Sequence, residues 1–356
     1  MGDSYLEVDP ARAFCERVFQ AAGVSEDDAR IVTDNLILAD LRGISSHGIS
    51  RVRVYVDRLQ SGQVNPRPEV KVVRDMPGFV HLDADNGLGA VVGLTAMELC
   101  IERAEKSGAC SCSVRRANHF GIASFYTMRA AARGMVGLAA SNNPPNMAPW
   151  GGITPMIGTN PFSIAAPAKR HRPLVLDMSS SIVARGRINV AEIENRPIPE
   201  GWAIDREGRP TTNATEALKG SVLPFGQHKG YGIALMVDMF CGILSGAAFS
   251  NNVGQLWCNR ETIQDIGLYF QAVDPAASVG REPFAERIDS LIDDLKASKP
   301  APGSPEVLVP GEIEFRNEEA NRKRGLLVGP GVLKDLDSLR REYGISINPA
   351  AHLTPA

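Results

Sequence analysis

The sequence predicts an α/β protein in which a sheet-bearing segment, residues 68–204, is inserted into a discontinuous helical layer made of residues 1–67 and 205–356. Three observations carry this reading. Helix caps and helical spacing mark the first sixty residues, short β-rich runs broken by Gly, Pro and Asn begin near residue 68, and helical periodicity returns after residue 204. With 356 residues, 44% of them apolar and 22% charged, the chain has the proportions of a globular protein and the length for about two domains. Its 38 Lys plus Arg against 41 Asp plus Glu give a charge of −3 without a basic block, which argues against a nucleic-acid binder resting on phosphate neutralisation.

The elements follow in order. Asp9 before Pro10 reads as an N-cap with proline at the first helical position, and the helix runs to a stop at Gly23. Ser25 with Asp28 has the capping-box pattern ahead of a helix carrying Ile31, Val32, Asn35, Leu36 and Ala39 at helical spacing. A third helix is expected from Ser46 through "RVRVYVDRLQSG". Six strands are expected at "EVKVV", "GFVHLDAD", "ACSCSVRRA", "MVGLAASN", "PFSIAAPA" and "PLVLDMS", with helices at "GAVVGLTAMELCIERAEKSG" and "FGIASFYTMRAAARG". Helices return at Gly230, at "EPFAERIDSLIDDLKAS" and at "LKDLDSLRREYG". The apolar stretch from Gly230 carries Asp238 in its middle and reads as a buried helix, not a membrane span. The acidic N-terminus has no apolar signal region and no lipidation pattern. Six cysteines (Cys15, Cys100, Cys110, Cys112, Cys241, Cys258) include no C-x-x-C, which fits a reducing cytoplasm. Cys110 and Cys112 alternate on one strand face and read as buried small apolar residues.

Among the motifs, Gly87-Leu88-Gly89 with Gly93 suggests a dinucleotide-binding turn. Its spacing is G-x-G-x-x-x-G and no second βαβ half follows, so glycines easing a strand-to-helix turn is the better reading. In "GISSHGISRVRVY", capping by Ser45 or Ser46 would put His47 in the first helical turn and Arg51 one turn later on the same face. A guanidinium that grips a carboxylate bidentately beside an imidazole that hydrogen-bonds the neighbouring carbonyl suits a 2-oxo acid. A surface histidine beside a salt-bridging arginine is the alternative. Asn118 can cap a helix that His119 enters, with Gly121 in its first turn permitting close approach of a ligand. Both histidines would then feel a helix N-terminus, which disfavours imidazolium. Asp177 followed by Ser179, Ser180 and Ser181 can orient a histidine and cradle a phosphate, and Lys229 can reach a diphosphate or sit in a solvated turn. Arg185 and Arg187 can meet a 2′-phosphate or be surface charges. The six histidines form no metal-ligand spacing and no G-x-S-x-G is present, so neither a metal centre nor a serine hydrolase is expected.

Taken together, "SSHGISR", "NHFG", "APWGG", "GTNPFSIAAP", "LDMSSSIVARGRI", "KGYGIALMVD", "GILSGA" and "VPGE" occur in an order that resembles the type 2 malate/L-lactate dehydrogenase family over roughly residues 5–350. That family also contains ureidoglycolate and sulfolactate dehydrogenases, diketogulonate reductase, and piperideine-2-carboxylate and pyrroline-2-carboxylate reductases. The resemblance implies a non-Rossmann nicotinamide-binding α/β fold, a homodimer with the cofactor near the subunit interface, and NAD or NADP as cofactor. It implies His47 and His119 as catalytic candidates with Asp177, and Arg51 with Ser46 as substrate-binding residues. Cofactor contacts are implied at Phe120, Gly121, Asn143, Asp177, Met178, Ser179, Ser180, Ser181, Ile182, Val183, His228, Lys229, Pro310, Gly311 and Glu312. Gln227-His228 departs from the glycines that many members carry before the lysine.

The reading is therefore a cytoplasmic NAD(P)-dependent oxidoreductase that interconverts a 2-hydroxy acid and a 2-oxo acid, with a small carboxylate as its partner and neither nucleic acid nor membrane. Arg51 fixes the carboxylate, His47 is the favoured proton donor because it shares a face with Arg51, His119 orients or relays, and Asp177 stabilises a charged imidazole. A cyclic ketimine reductase is the alternative within the class, and a catalytically silent small-molecule binder the alternative outside it.

Overall fold

The computed structural model describes residues 3–257 and 262–356. Met1, Gly2 and Cys258, which entered the sequence reading, lie outside the described residues. The chain begins with β1 (Ser4–Leu6), α1 (Val8–Ala21), α2 (Glu26–Leu41) and α3 (Val52–Gln60). Helix α1 starts one residue before Asp9, so Asp9 sits in the first turn and is not the cap. Ser25 does cap α2, its Oγ accepting the Asp28 N–H at 3.2 Å. The amphipathic faces of these helices bury Phe14, Val18, Phe19, Val32, Leu36 and Ile37 in one core.

The middle of the chain forms β2 (Lys71–Met76), β3 (Phe79–Asp83), α4 (Gly89–Ser107), β4 (Ala109–Ala117), α5 (Ser124–Ala132), β5 (Val136–Ser141), β6 (Phe162–Ala166) and β7 (Leu174–Met178). A smaller unit follows with α6 (Arg185–Ile193), β8 (Ala203–Ile204), β9 (Pro210–Thr211), α7 (Ala214–Lys219), β10 (Ser221–Val222) and α8 (His228–Asp238). The chain then runs through β11 (Ile266–Val273), α9 (Arg281–Ala297), α10 (Glu312–Arg324), β12 (Leu326–Val328), α11 (Pro330–Glu342) and β13 (Leu353–Pro355). Strands β12, β1 and β13 close a small sheet that joins both chain ends to the N-terminal helices.

The main sheet has seven strands in the order β2-β3-β4-β11-β5-β6-β7. Only the β3–β4 pair, bridged by α4, is parallel; a doubly wound nucleotide-binding sheet would be mostly parallel. One boundary of the sequence reading is corrected. Residues 68–204 do not supply the whole sheet, because its central strand comes from residues 266–273, pairing Phe270 with Cys112 on one side and Ala139 on the other. Leu268, Phe270 and Ala272 are fully buried, and the strand's apolar run makes sense only between two neighbours. Cys110 and Cys112 face the same core as Cys100, and the five described cysteines are buried and free.

The Gly87 turn has a packing role. A Cβ on Gly87 would lie 2.6 Å from the Pro68 side chain, and one on Gly89 would lie 2.0 Å from the carbonyl oxygen of Asn118. Bare glycines let α4 dock against the segment that carries His119. The stretch after Gly230 also departs from expectation. Asp238 is buried, accepting from Asn142 Nδ2 at 3.0 Å and the Ser250 N–H at 2.9 Å, but Leu235, Met236, Phe240, Ile243 and Leu244 are 38–58% exposed. The expected buried helix is thus an apolar face turned outward. Among the described residues no helix is long and apolar enough to cross a membrane.

Candidate active site

The segment between α2 and α3 holds two of the expected residues, but not as the start of one helix. Two single 3₁₀ turns, Ser45–His47 and Ile49–Arg51, precede α3. Asp40 explains the break. Its Oδ2 accepts the Ile49 N–H at 2.7 Å, and Gly48 packs so tightly on it that a Cβ would lie 2.0 Å from Oδ1. Arg51 donates from Nε to the Ser46 carbonyl at 2.6 Å, and its guanidinium carbon lies 4.7 Å from the centre of the Trp257 ring. Its Nη1 is buried with no hydrogen-bond partner. A buried guanidinium nitrogen left unpaired is costly, and a carboxylate ligand satisfies it. His47 Nδ1 lies 2.9 Å from Ser46 Oγ.

His119 reaches the same place from β4. Asn118 does not cap a helix, since α5 begins only at Ser124; its Nδ2 instead pins the Asn86 and Gly87 carbonyls at 3.0 and 2.9 Å. The His119 N–H donates to Gln264 Oε1 at 3.1 Å, and its ring stacks on His47 with centroids 5.4 Å apart. The Tyr55 hydroxyl lies 2.6 Å from His119 Nδ1, and the Gly121 N–H points at the same nitrogen from 3.3 Å. A backbone N–H can only donate, so Nδ1 accepts, Tyr55 donates to it, and the neutral ring carries its proton on Nε2.

Burial sets the charge state here. The His47 ring is lowered to about 3 by burial, with the Arg51 charge adding to it. His119 lies well below the usual histidine range through burial, then the His47 and Arg51 charges. The direction matches the sequence reading, but the cause is desolvation and a nearby cation, not a helix dipole.

The remaining expected residues form a second group. Asp177 is not placed against either histidine: its Oδ2 accepts the Ser124 N–H at 2.7 Å, with Arg42 as its nearest opposing charge, and burial raises its pKa. Ser180 is buried, and its N–H and Oγ both bond the Thr159 carbonyl at 2.8 Å, so it cannot cradle a phosphate. Ser179 and Ser181 share a hydroxyl contact at 3.0 Å, while Ile182 is exposed and Val183 packs into the core of the smaller unit. The Phe225 N–H donates to the Ser180 carbonyl at 3.1 Å, which brings the serine run beside exposed His228 and Lys229 at the start of α8. Met178 ends β7 opposite Phe162. Asn143 is held through its N–H by Asn160 Oδ1 at 2.9 Å.

Phe120 is buried and stacked on Tyr126, and a Cβ on Gly121 (φ +77°) would lie 1.8 Å from Asn35 Oδ1, so its lack of a side chain makes room for Asn35. Pro310, Gly311 and Glu312 also sit apart from the histidines. The Val175 N–H donates to the Pro310 carbonyl at 3.1 Å, Gly311 packs on Val175, and Glu312 bonds Lys296 at 2.8 Å. Among the described residues no three His, Cys, Asp or Glu side chains gather to hold a metal ion.

Sequence reasoning missed Tyr55, Asp40 and Gln264. Tyr55 had a readable signal, four residues after Arg51 and so on its helix face. Gln264 had none, lying 145 residues from its partner.

Asp40 gives a pH prediction. Burial raises its carboxyl to about 8 from 3.8, against the Ile49 N–H, which lowers it. The folded state therefore binds this proton more tightly than the unfolded chain does. Asp40 makes stability fall as pH rises from about 4 to 8, by at most about 1.4 kcal/mol per pH unit. Asp40→Asn keeps an acceptor for Ile49 and should flatten that slope, which thermal unfolding between pH 5 and pH 8 would show. Parallel slopes in the two proteins would count against the buried acid.

A family model described as malate/L-lactate dehydrogenase matches residues 6–337. The chain is 39% identical over 353 residues to the malate dehydrogenase of Pyrococcus horikoshii, covering 96% of this chain and 97% of the relative. It is 41% identical over 330 residues to the L-sulfolactate dehydrogenase of Methanocaldococcus jannaschii, covering 93% and 94%. Among solved structures, sulfolactate dehydrogenase from that organism matches with a TM-score of 0.91 at 39% identity, covering 96% of this chain and 98% of that one. The malate dehydrogenase of Entamoeba histolytica matches at 0.92 and 29% identity, covering 96% and 99%.

Proposed function

The chain belongs to the malate/L-lactate dehydrogenase family of oxidoreductases, and from that premise we propose that it interconverts a 2-hydroxy acid and a 2-oxo acid with NAD or NADP. One observation carries the reading: the unpartnered, buried Nη1 of Arg51 beside the stacked His47–His119 pair. Arg51 takes the substrate carboxylate. The carbonyl one bond away then lies where an imidazole N–H can reach it.

The sequence favoured His47 as the proton donor. The bonds from Tyr55 and Gly121 to a single nitrogen of His119 support exchanging the roles, with His119 as donor and His47 beside the carboxylate end. As charge develops on the substrate oxygen, that oxygen takes the Nε2 proton while Nδ1 takes the proton of Tyr55; the negative charge passes to the Tyr55 oxygen, where burial opposes it and the Arg51 charge favours it, until a proton from solvent restores the phenol. In the opposite direction the same protons move back.

The bound nicotinamide supplies or accepts the hydride. Exposed Lys229 and His228, at the start of a helix whose first residue has no side-chain cap, suit its anionic phosphates, with Ser179, Ile182 and Asn143 alongside. Relatives named for NAD(+), the ureidoglycolate dehydrogenase of Escherichia coli, and for NADP(+), the (2R)-3-sulfolactate dehydrogenase of Chromohalobacter salexigens, leave both cofactors in play. The exposed apolar side chains Leu235 and Met236 of α8 and Phe240, Ile243 and Leu244 just after it suit burial against a second copy, which supports a homodimer. The free buried cysteines support a reducing cytoplasm.

Oxidation of NADH and NADPH measured against a panel of 2-oxo dicarboxylates, 2-oxo sulfonates, 2-oxo monocarboxylates and cyclic ketimines tests the reading. Turnover of the 2-oxo acids is expected. Turnover of the ketimines alone would transfer the assignment to the class of the Pseudomonas syringae Δ1-piperideine-2-carboxylate reductase, whose structure matches at 28% identity. No turnover of any would leave a binder.

Cofactor placement has its own test. Ser179→Glu puts a negative charge beside Lys229's loop and should weaken NADH or NADPH binding by about tenfold, of the order of one lost charge-assisted contact. Gly89→Ala should lower the melting temperature, because its Cβ meets the Asn118 backbone. Fluorescence titration of both proteins distinguishes the sites; weakened cofactor binding in the glycine variant alone would restore the Gly87 turn as a binding loop.

A further inference from the structure

Behind the Tyr55–His119 pair lies a cavity of about 10 Å³, the space one water takes up, lined by Tyr55, Arg58, Val64, Leu88, Asn118, His119, Leu256 and Gln264. Three of the lining side chains are at least 95% buried and each has a polar atom without a partner: Arg58 Nε, Asn118 Oδ1 and Gln264 Nε2. Their other groups are engaged. Arg58 is anchored through Nη1 and Nη2 to the Gln255 and Thr262 carbonyls at 3.2 and 3.4 Å. Asn118 uses Nδ2 on the Gly87 turn, and Gln264 uses Oε1 on the His119 N–H. Three side chains that line one water-sized space each leave a polar atom unpaired, and a buried polar atom left dry is costly.

We infer that this cavity is a binding site for a single water that completes a directed hydrogen-bond chain and fixes His119 with its proton on Nε2. Each of the water's four hydrogen bonds finds a partner. The water accepts from Arg58 Nε–H and Gln264 Nε2–H, and donates one hydrogen to Asn118 Oδ1 and the other to the Tyr55 oxygen. Tyr55, accepting from the water, has its own hydrogen left for His119 Nδ1, which also receives the Gly121 N–H. Arg58, Asn118 and Gln264 are in this account positioning residues: they touch no substrate and act through the water and Tyr55. The inference concerns this chain's own groups, but its value to catalysis rests on the donor role given to His119 above.

Val64→Ile tests it by pushing a methyl group into the cavity. If a hydrogen-bonded water occupies the space, the variant strands three polar atoms. Its unfolding midpoint should fall, the ¹⁵N spectrum of His119 should shift from a pure Nε2–H signature toward a mixture of tautomers, and kcat should drop about tenfold, a fraction of the roughly 10²–10⁴-fold worth of a positioned acid. If the space is a dry void, filling it raises the midpoint and leaves tautomer and kcat unchanged, which overturns the proposal. The ¹⁵N spectrum of the unaltered protein needs no variant to fold: Nε2–H is expected, and Nδ1–H would overturn the chain. Midpoint and spectrum are read without turnover, so an inactive enzyme would defeat the functional reading while leaving the water site to stand or fall on these two measurements.

Discussion

Arg51→Lys should lose nearly as much kcat/KM as Arg51→Ala, on the order of 2–4 kcal/mol in either case. A guanidinium holds a carboxylate through two parallel N–H···O bonds, and a lysine ammonium offers a single point of attachment on a flexible stem. The surroundings sharpen this expectation. Arg51 spends Nε on the Ser46 carbonyl and sets its guanidinium carbon over the Trp257 ring, and its buried Nη1 stays unpaired. A lysine nitrogen that donates to the Ser46 carbonyl cannot also present the parallel pair of donors that a guanidinium offers. Steady-state kinetics with the best 2-oxo acid decide the matter, and a lysine variant within about twofold of wild type would remove Arg51 from the substrate site.

His119→Asn should reduce kcat by roughly 10²–10⁴-fold with cofactor affinity intact, while His47→Asn should act mainly on KM. The distinction rests on what stands behind each ring. Tyr55 and Gly121 set one nitrogen of His119 as acceptor and so present the other as donor, whereas His47 has only the neighbouring Ser46 hydroxyl, whose direction is free. A pH profile adds a second reading. An obligatory imidazolium would make the reduction lose rate as pH rises through about 6.5. A buried ring whose pKa is far below that value acts as a neutral donor, so kcat should be flat from about pH 5.5 to 7.5. The opposite pattern in the two variants, or a titration near 6.5 in the wild type that His47→Asn abolishes, would return the donor role to His47.

What the sequence made legible follows from where the information lies. Ser25 and the strand alternation of β4 are local signals that hold in the structure, whereas His47 and Arg51 come together from two separate 3₁₀ turns and not from one helix face. The expected caps at Ser46 and Asn118 fail because tertiary partners outbid the local pattern: Asp40 draws the Ile49 N–H and breaks the helix start, and the carbonyls of Asn86 and Gly87 capture the Asn118 amide. The serine run reads as a phosphate cradle until Thr159 is seen to occupy both donors of Ser180. Glycines at 87, 89 and 121 look like ligand-approach positions because a sequence shows that a side chain is missing, not what fills its place. In each case another segment of the same chain fills it: Pro68, the Asn118 backbone and Asn35.

The central position of β11 bears on how the protein comes into being. Without residues 266–273, β2-β3-β4 and β5-β6-β7 have no strand between them, and β4 and β5 each lack a partner on that side. Such edges pair with whatever strand is at hand, and joining them across more than a hundred residues makes folding slow. Gln264, the acceptor for His119, lies two residues before β11 and arrives with it. Nascent chains shorter than this strand therefore carry both aggregation-prone edges and an unfinished proton-donor site, and the step that removes the first hazard is the step that completes the second.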